Sequence, residues 1–493
     1  MLNEQIERMR IAMLGYWNSP TLANNFVRLA AWLATGLLLS TFAGVPGFRV
    51  FGHDEIHYYQ DILVSLGEDG RWLNFLLDDF LKSIPLRTWA LLLMVAFWAL
   101  FYRLTRSFGF DTAYAALVAS TILLAYPFAE QILWPATAMP AVVILLIASL
   151  LVKRGVAYPV IYMLTGVLIF GTLQTLYFLV PLFFWGQFLV SGTQAGERRW
   201  SLLFSHMCWW VAGSVAGVLV MSFLLWPMTG HFGPQPAAWR LTSPIQDVAG
   251  LIRNINYASD AFVVQLERFL RFGGVTWGFI IIVGLAVLVR IRALLALHHA
   301  MLLLAAVLLS YFVFSIALAP LIQQRSLVAM ATSVMLFMAL FPGPSVMGRV
   351  FGTLLLLKMG YAFSVSDQTY LRLHETETSH VYEKLQQLIP GQSINYFAIA
   401  LYGTMNSDSP HASFFNDPSR MHPVFMSLYA KKYLDCRQDS RCDAQVGTGK
   451  QLSEMPYGSG RLEFSVDEGN IGIIRYVEHP AGAPESLAIP VSE

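Results

Sequence analysis

The run LLALHHAMLLLAAVLLSYFVFSIALA, residues 294–319, decides the fold. It holds no Asp, Glu, Lys or Arg across 26 residues. About 20 apolar residues in a helix cross the hydrocarbon core of a bilayer. Inside that core every backbone N–H and C=O must be satisfied within the segment, so a run of this length is read as a helix. Comparable runs fall near 26–45, 87–102, 112–128, 138–152, 156–172, 174–190, 202–226, 273–289, 326–342 and 349–365. The reading is an all-α polytopic membrane protein with about eleven transmembrane helices. Composition agrees: 56% of the 493 residues are hydrophobic and 13% charged, about half the charge of a soluble domain. Mean hydropathy is +0.54.

The net charge of +1 argues against nucleic acid or another polyanion as partner. Three cysteines, Cys208, Cys436 and Cys442, are too few for a disulfide scaffold or a cysteine-based zinc site. The start, MLNEQIERMRIAMLGYW, reads as a cytoplasmic lead-in or interfacial helix rather than a cleavable signal.

Orientation follows from the basic residues. Arg103 and Arg106, Lys153 and Arg154, Arg198 and Arg199, Arg290 and Arg292, and Arg349 all fall in alternate short connections. The positive-inside rule makes these cytoplasmic, together with the N-terminus and its Arg8, Arg10 and Arg28. An odd number of spans then leaves the C-terminus outside, on the periplasmic side. The outer side carries two large loops, 46–86 and 227–272, and a polar tail from 366 to 493. Within the tail, SINYFAIALYG and RLEFSVDEGNIGIIRYVEHP have β-branched and aromatic content bounded by turn residues, the pattern of a small periplasmic α/β domain. Cys436 and Cys442 lie there and could pair in an oxidising compartment or stay free.

The chemistry-bearing residues sit on the outer connections. FGHDEIHYYQDI (51–62) sets Asp54 beside Glu55, flanked by His53, His57, Tyr58 and Tyr59. Adjacent side chains point apart on a helix or strand, so the two acids would not share a proton. The stretch reads either as an active-site edge or as an ordinary solvated loop. Further on, GEDGRWL (67–73) is a turn ending in Arg71. AEQILWPATAMP (129–140) places Glu130, Gln131 and Trp134 outside; an interfacial Trp is a belt residue or a stacking face for a sugar. Gln174 stands at an outer turn between apolar runs, where a structural hydrogen bond is the simpler role. Arg325, in a very short outer loop, either snorkels to headgroups or holds a lipid-linked phosphate. The loop 227–272 adds Arg240, Arg253, Asp260 and Glu267. No P-loop or Gly-rich nucleotide motif is present, so an energy-rich donor outside the membrane would have to arrive on a lipid.

An acidic pair just after the first span resembles the glycosyltransferase C superfamily. DEIHYYQDILVSLGEDGRWL (54–73), with Asp54-Glu55 and Gly70-Arg71, is more closely similar to the bacterial serotype-converting O-antigen glucosyltransferases of the Gtr type. The QTLY turn at Gln174 and the QQR turn at Arg325 are similar too, and the likeness covers about the first 365 residues. Those enzymes usually carry Asp-Asp where this chain has Asp-Glu. The resemblance implies an inverting transferase that moves a hexose, glucose by expectation, from undecaprenyl phosphate to a lipopolysaccharide O-antigen. It implies membrane lipid as surroundings, with a separate donor synthase and flippase upstream. Asp54 is the implied general base with Glu55 beside it; His57, Tyr58, Arg71, Trp134, Gln174, Arg253 and Arg325 are the implied substrate-binding residues. No cofactor is required, since cationic groups can neutralise the phosphodiester leaving group, although His53 and His57 with the acid pair could ligate a divalent ion. The competing readings are a lipid-linked sugar flippase, or an O-antigen polymerase or ligase.

Overall fold

The structure, a computed structural model, describes residues 20–42, 66–67, 69–84, 86–188, 196–235, 242–276, 284, 287, 298–320, 322, 324–343, 345–388, 396–400, 445–448, 460–466 and 471–478. Asp54, Glu55, His57, Tyr58, Arg240, Cys436 and Cys442 lie outside these. The chain divides into two units: the larger takes Met1–Pro46 and Asp61–Thr369, the smaller Gly47–Gln60 and Tyr370–Glu493.

The larger unit is helical. Its described helices are α1 (Pro20–Phe42), α2 (Trp72–Leu76), α3 (Asp78–Ser83), α4 (Leu86–Ser107), α5 (Thr112–Leu123), α6 (Tyr126–Ile132), α7 (Pro135–Lys153), α8 (Tyr158–Phe170), α9 (Gly196–Thr229), α10 (Val248–Phe272), α11 (His298–Ser315), α12 (Val328–Leu340) and α13 (Val346–Leu388). Six of them are long and apolar enough to cross a membrane: 21–42, 88–107, 135–153, 200–229, 298–315 and 346–368. A seventh crossing is available if α5 and α6, which bend by 72° at their junction, act as one broken span.

The difference from about eleven expected spans has local causes. The run near 273–289 is mostly outside the described residues. The run at 112–128 is cut because Pro127 sits at the start of α6, where it cannot supply the N–H that a continuing helix needs. α8 and α12 have 13 residues each. The run at 174–190 is not α-helical: Gln174–Phe188 is a 15-residue 3₁₀ helix with Pro181 inside it. At a rise of about 2.0 Å per residue it still reaches roughly 30 Å, and it is buried along most of its length.

Helix starts follow ordinary chemistry. Asp111 caps α5 by accepting from the N–H groups of Ala113 and Tyr114, both at 3.0 Å. Pro135 and Pro159 open α7 and α8, where a missing N–H costs nothing. The closest helix contact is α8 on α9. Gly166 of α8 faces Gly213 and Gly217 of α9 so closely that a Cβ on any of the three would meet backbone or ring atoms. Small residues four apart let transmembrane backbones approach this way. Tyr177 of the 3₁₀ helix locks the pair, donating to Tyr162 O (3.2 Å) and Trp210 O (3.0 Å). Other polar links cross helices: Thr41 with Ser364 at 2.7 Å, Trp98 with Ser120 at 3.1 Å, and Tyr114 with the Ala339 carbonyl at 3.0 Å.

α7 fixes the two ends of the bundle. Its 19 residues span about 29 Å at 1.5 Å per residue. Lys153 closes one end, where Arg103 donates to Ser149 Oγ at 2.8 Å and Arg349 pairs with Asp111. Trp134 stands at the other.

Four strands are described after α13: β1 (Tyr396–Ala400), β2 (Gln445–Thr448), β3 (Gly460–Val466) and β4 (Ile471–Glu478). They form one sheet in the order β2-β1-β4-β3. β1 runs parallel to β2 and β4, with Tyr396 opposite Gln445 and Ile471; β3 and β4 are antiparallel, with Gly460 opposite Glu478.

Candidate functional site

The Trp134 end of the bundle gathers four of the residues singled out in the sequence: Arg71, Trp134, Gln174 and Arg325. Each arrives on a different segment, and the contacts that hold them can be followed in turn.

The turn before α2 carries Arg71. Gly70 has φ +71°, a left-handed conformation that an L side chain adopts only at a cost. Its N–H bonds Leu66 O at 3.0 Å, which closes the turn. Beyond it, the N–H groups of Leu73 and Asn74 donate to Gly171 O at 2.8 and 3.3 Å, so the carbonyl that ends α8 satisfies the first turn of α2. Gln174 Nε2 donates to Asp69 O at 2.6 Å. Gln174 therefore makes a structural bond to the very turn that presents Arg71. Arg71 is 5% exposed and ion-paired with Asp69, Nη2 to Oδ2 at 2.7 Å. Asn74, fully buried, donates to Thr137 O at 3.1 Å in the first turn of α7. Trp134 lies one turn before Thr137, so the Arg71 turn and Trp134 are tied to the same helix end.

Arg325 comes from the opposite side of the sequence. Its guanidinium carbon lies 3.7 Å from the centroid of the Trp134 ring, within the range for a cation stacked on an aromatic face. The strap that brings it there is held by its carbonyls. Asn254 Nδ2 donates to Ile316 O at 3.0 Å, Tyr257 Oη to Pro320 O at 3.1 Å, and Gln265 Nε2 makes a longer 3.5 Å contact with Ile322 O. Gln131 Nε2 then donates to Arg325 O at 2.8 Å. Three of these donors stand on one stripe of α10, whose opposite face exposes Asp260 and Glu267. Ala319, in the middle of the strap, has φ +40°. A non-glycine residue held there is strained, and such strain persists only where surrounding contacts enforce it.

Two carboxyls complete the group. Tyr126 donates to Glu130 Oε1 at 2.9 Å, and its ring stacks on Phe272 at 5.5 Å. On α13, Phe363 packs against Phe269 at 5.1 Å, and one turn further on Asp367 is fully buried within electrostatic reach of Glu130. Neither oxygen of Asp367 has a hydrogen-bond partner among the described residues. An ionisable group kept at such a place is a functional candidate by default.

Arg253 is not part of this group. It stands on the exposed face of α10 and donates to Ser243 Oγ at 2.9 Å. Among the described residues no cluster of three His, Cys, Asp or Glu side chains is placed to hold a metal ion. What the arrangement offers is two guanidinium groups, of which Arg71 is already paired with Asp69, an indole face, and the carboxyls of Glu130 and Asp367: donors for phosphate oxygens, a surface for a sugar ring, and groups able to take a proton.

Sequence reading did not find Asn74, Tyr126, Asn254, Tyr257, Gln265 or Asp367. Asp367 alone carried a signal, a carboxyl at the end of the apolar run 349–365. No family model, no curated protein and no solved structure matches the chain.

Proposed function

We propose that this chain is a polytopic membrane glycosyltransferase that moves a hexose, glucose by expectation, from undecaprenyl phosphate to a lipopolysaccharide O-antigen outside the inner membrane. The observation that carries the reading is the seating of Arg325 on Trp134, one helix turn from the Asn74–Thr137 bond that anchors the Arg71 turn. In this reading the arginines neutralise the donor phosphate, bidentate geometry favouring guanidinium over ammonium. Trp134 supports the sugar ring. Asp54, supplied by the loop that also carries Glu55, His57 and Tyr58, takes the proton from the acceptor hydroxyl. That oxygen attacks the anomeric carbon with inversion, the bond from carbon to phosphate oxygen breaks, and undecaprenyl phosphate leaves with the electron pair. About eleven crossings, a cytoplasmic N-terminus and a periplasmic α/β tail belong to the same proposal.

The test is transfer by the purified full chain from synthetic polyprenyl-phosphate hexoses to O-antigen fragments. Wild type is expected to transfer with inversion, and Asp54→Asn to lose about 10²-fold or more in rate while folding normally. A correctly folded wild type that transfers no hexose, yet moves the intact lipid-linked donor across vesicles, would replace the transferase with a flippase. Wild-type turnover in Asp54→Asn would remove Asp54 as base, and a loss confined to Glu55→Gln would assign the role to its neighbour.

A further inference from the structure

At the opposite end of the bundle a cavity of about 720 Å³ opens between α1, α4, α5 and α13. It is separate from the site above by the length of α7, and no part of the proposed transfer uses it. Its wall on α1 is Asn24, Arg28, Ala31, Trp32 and Thr35. These fall at i, i+4, i+7, i+8 and i+11, so they form one stripe along that helix. The stripe is graded. Asn24 and Arg28 stand at the mouth, Trp32 follows, and Thr35 lies at the floor, hydrogen-bonded to Ser120 at 3.1 Å. Across from it Trp98 also reaches Ser120, and Ala113 and Ala116 leave room that larger side chains would fill. Arg349 and Asp111 close the mouth, already paired with each other. Among the described residues the mouth therefore carries two guanidiniums against one carboxylate, and the excess positive charge rests on Arg28, which is exposed. From Asn24 to Thr35 is about 16 Å along a helix, enough for a phospholipid head and the first part of its chains.

We infer that this cavity binds an anionic diacyl phospholipid, its phosphate at Arg28 and its glycerol and upper acyl chains along Trp32, Trp98 and the alanines. Charge complementarity names the head, and the change from cationic mouth to a floor of half-buried Trp98, Ala113 and Ala116, with exposed Trp32 along its open side, names the tail. A free phosphate would use the mouth and leave the floor empty.

Native mass spectrometry of the purified full chain tests it, with phosphatidylglycerol and phosphatidylethanolamine added in equal amounts. Retention of phosphatidylglycerol over phosphatidylethanolamine is expected. Near a membrane surface each basic charge counts for about fivefold in binding, so Arg28→Ala should lower retention roughly fivefold and Arg28→Glu roughly 25-fold. Arg154→Glu, an exposed change at the same end but outside the cavity, should leave retention unchanged, and unfolding midpoints of all three variants show whether the fold is kept. Equal loss in Arg28→Glu and Arg154→Glu would reduce the effect to surface charge and overturn the site. So would equal retention of the two lipids, or displacement of phosphatidylglycerol by millimolar inorganic phosphate, which would mean that the acyl chains contribute nothing.

Discussion

The stacking of Arg325 on Trp134 makes a prediction whose size follows from the structure. The guanidinium lies 3.7 Å from the ring centroid, and Trp134 is 7% exposed. A cation–π pair so shielded from water belongs at the upper end of the measured range, about 2 kcal/mol, against 0.5–1 kcal/mol for an exposed one. Gln131 grips the Arg325 carbonyl, not its side chain. The backbone should therefore stay in place when the side chain changes, and the coupling can be read without a collapse of the strap. Trp134→Leu removes the ring beneath the cation. Arg325→Lys keeps the charge and removes the flat fork. If the indole holds the fork in position for a phosphate, the two substitutions damage one device. The double variant should then lose less than the product of the single losses, by about 5- to 30-fold in kcat/KM for the lipid-linked donor, which is 1–2 kcal/mol of coupling. The assay is hexose transfer by wild type, both single variants and the double, at varied donor, with thermal unfolding of each alongside. Independent losses that simply multiply would refute the reasoning. Near-normal turnover in Arg325→Lys would show an arginine that merely snorkels, a task lysine performs equally well.

Gly70→Ala should destabilise the chain by about 2–5 kcal/mol, combining a left-handed residue at about 1–2 kcal/mol with overpacking at about 1–3 kcal/mol, because its Cβ would run into the Met221 side chain; an unchanged unfolding midpoint would contradict this. Asp367→Leu should raise the unfolding midpoint, since a carboxyl buried without hydrogen-bond partners costs several kcal/mol and leucine buries no polar group, whereas Asp367→Asn keeps an unpaired polar group and should not; both should lower hexose transfer at least about tenfold. A rise in stability with unaltered transfer would make Asp367 a structural burden with no part in the site.

Much of the fold was legible because hydrocarbon imposes one requirement on every span. Runs such as 294–319 and 138–152 announce themselves by lacking charge, and α7 and α11 stand where those runs stand. The same requirement says little about the kind of helix. Gln174–Phe188 is as apolar as its neighbours, yet it winds as a 3₁₀ helix around Pro181. The bend between α5 and α6 was hidden for a similar reason. Pro127 was visible, but an apolar run reads the same whether the chain continues straight or turns by 72°.

The site divides along a different line. Arg71, Trp134 and Arg325 stood out because a guanidinium or an indole in so apolar a chain is costly or conspicuous, and cost can be read one residue at a time. The residues that place them cannot be read so. Asn254 and Tyr257 look like the solvated face of an amphipathic helix until their partners in the strap are known: Asn254 bonds the nearby Ser243 carbonyl too, but Ile316 and Pro320 lie 62 and 63 residues away. Gln131 was noticed as a candidate for the outer surface, whereas its partner is a backbone carbonyl 194 residues distant. A side-chain amide that captures a carbonyl leaves no mark on the sequence around that carbonyl, because every residue but its side chain supplies the same acceptor. What a linear reading recovers in a chain like this is therefore the charge that must be held. The polar groups that hold it become visible only when distant segments meet, and Asp367 is a buried carboxyl that no donor among the described residues reaches.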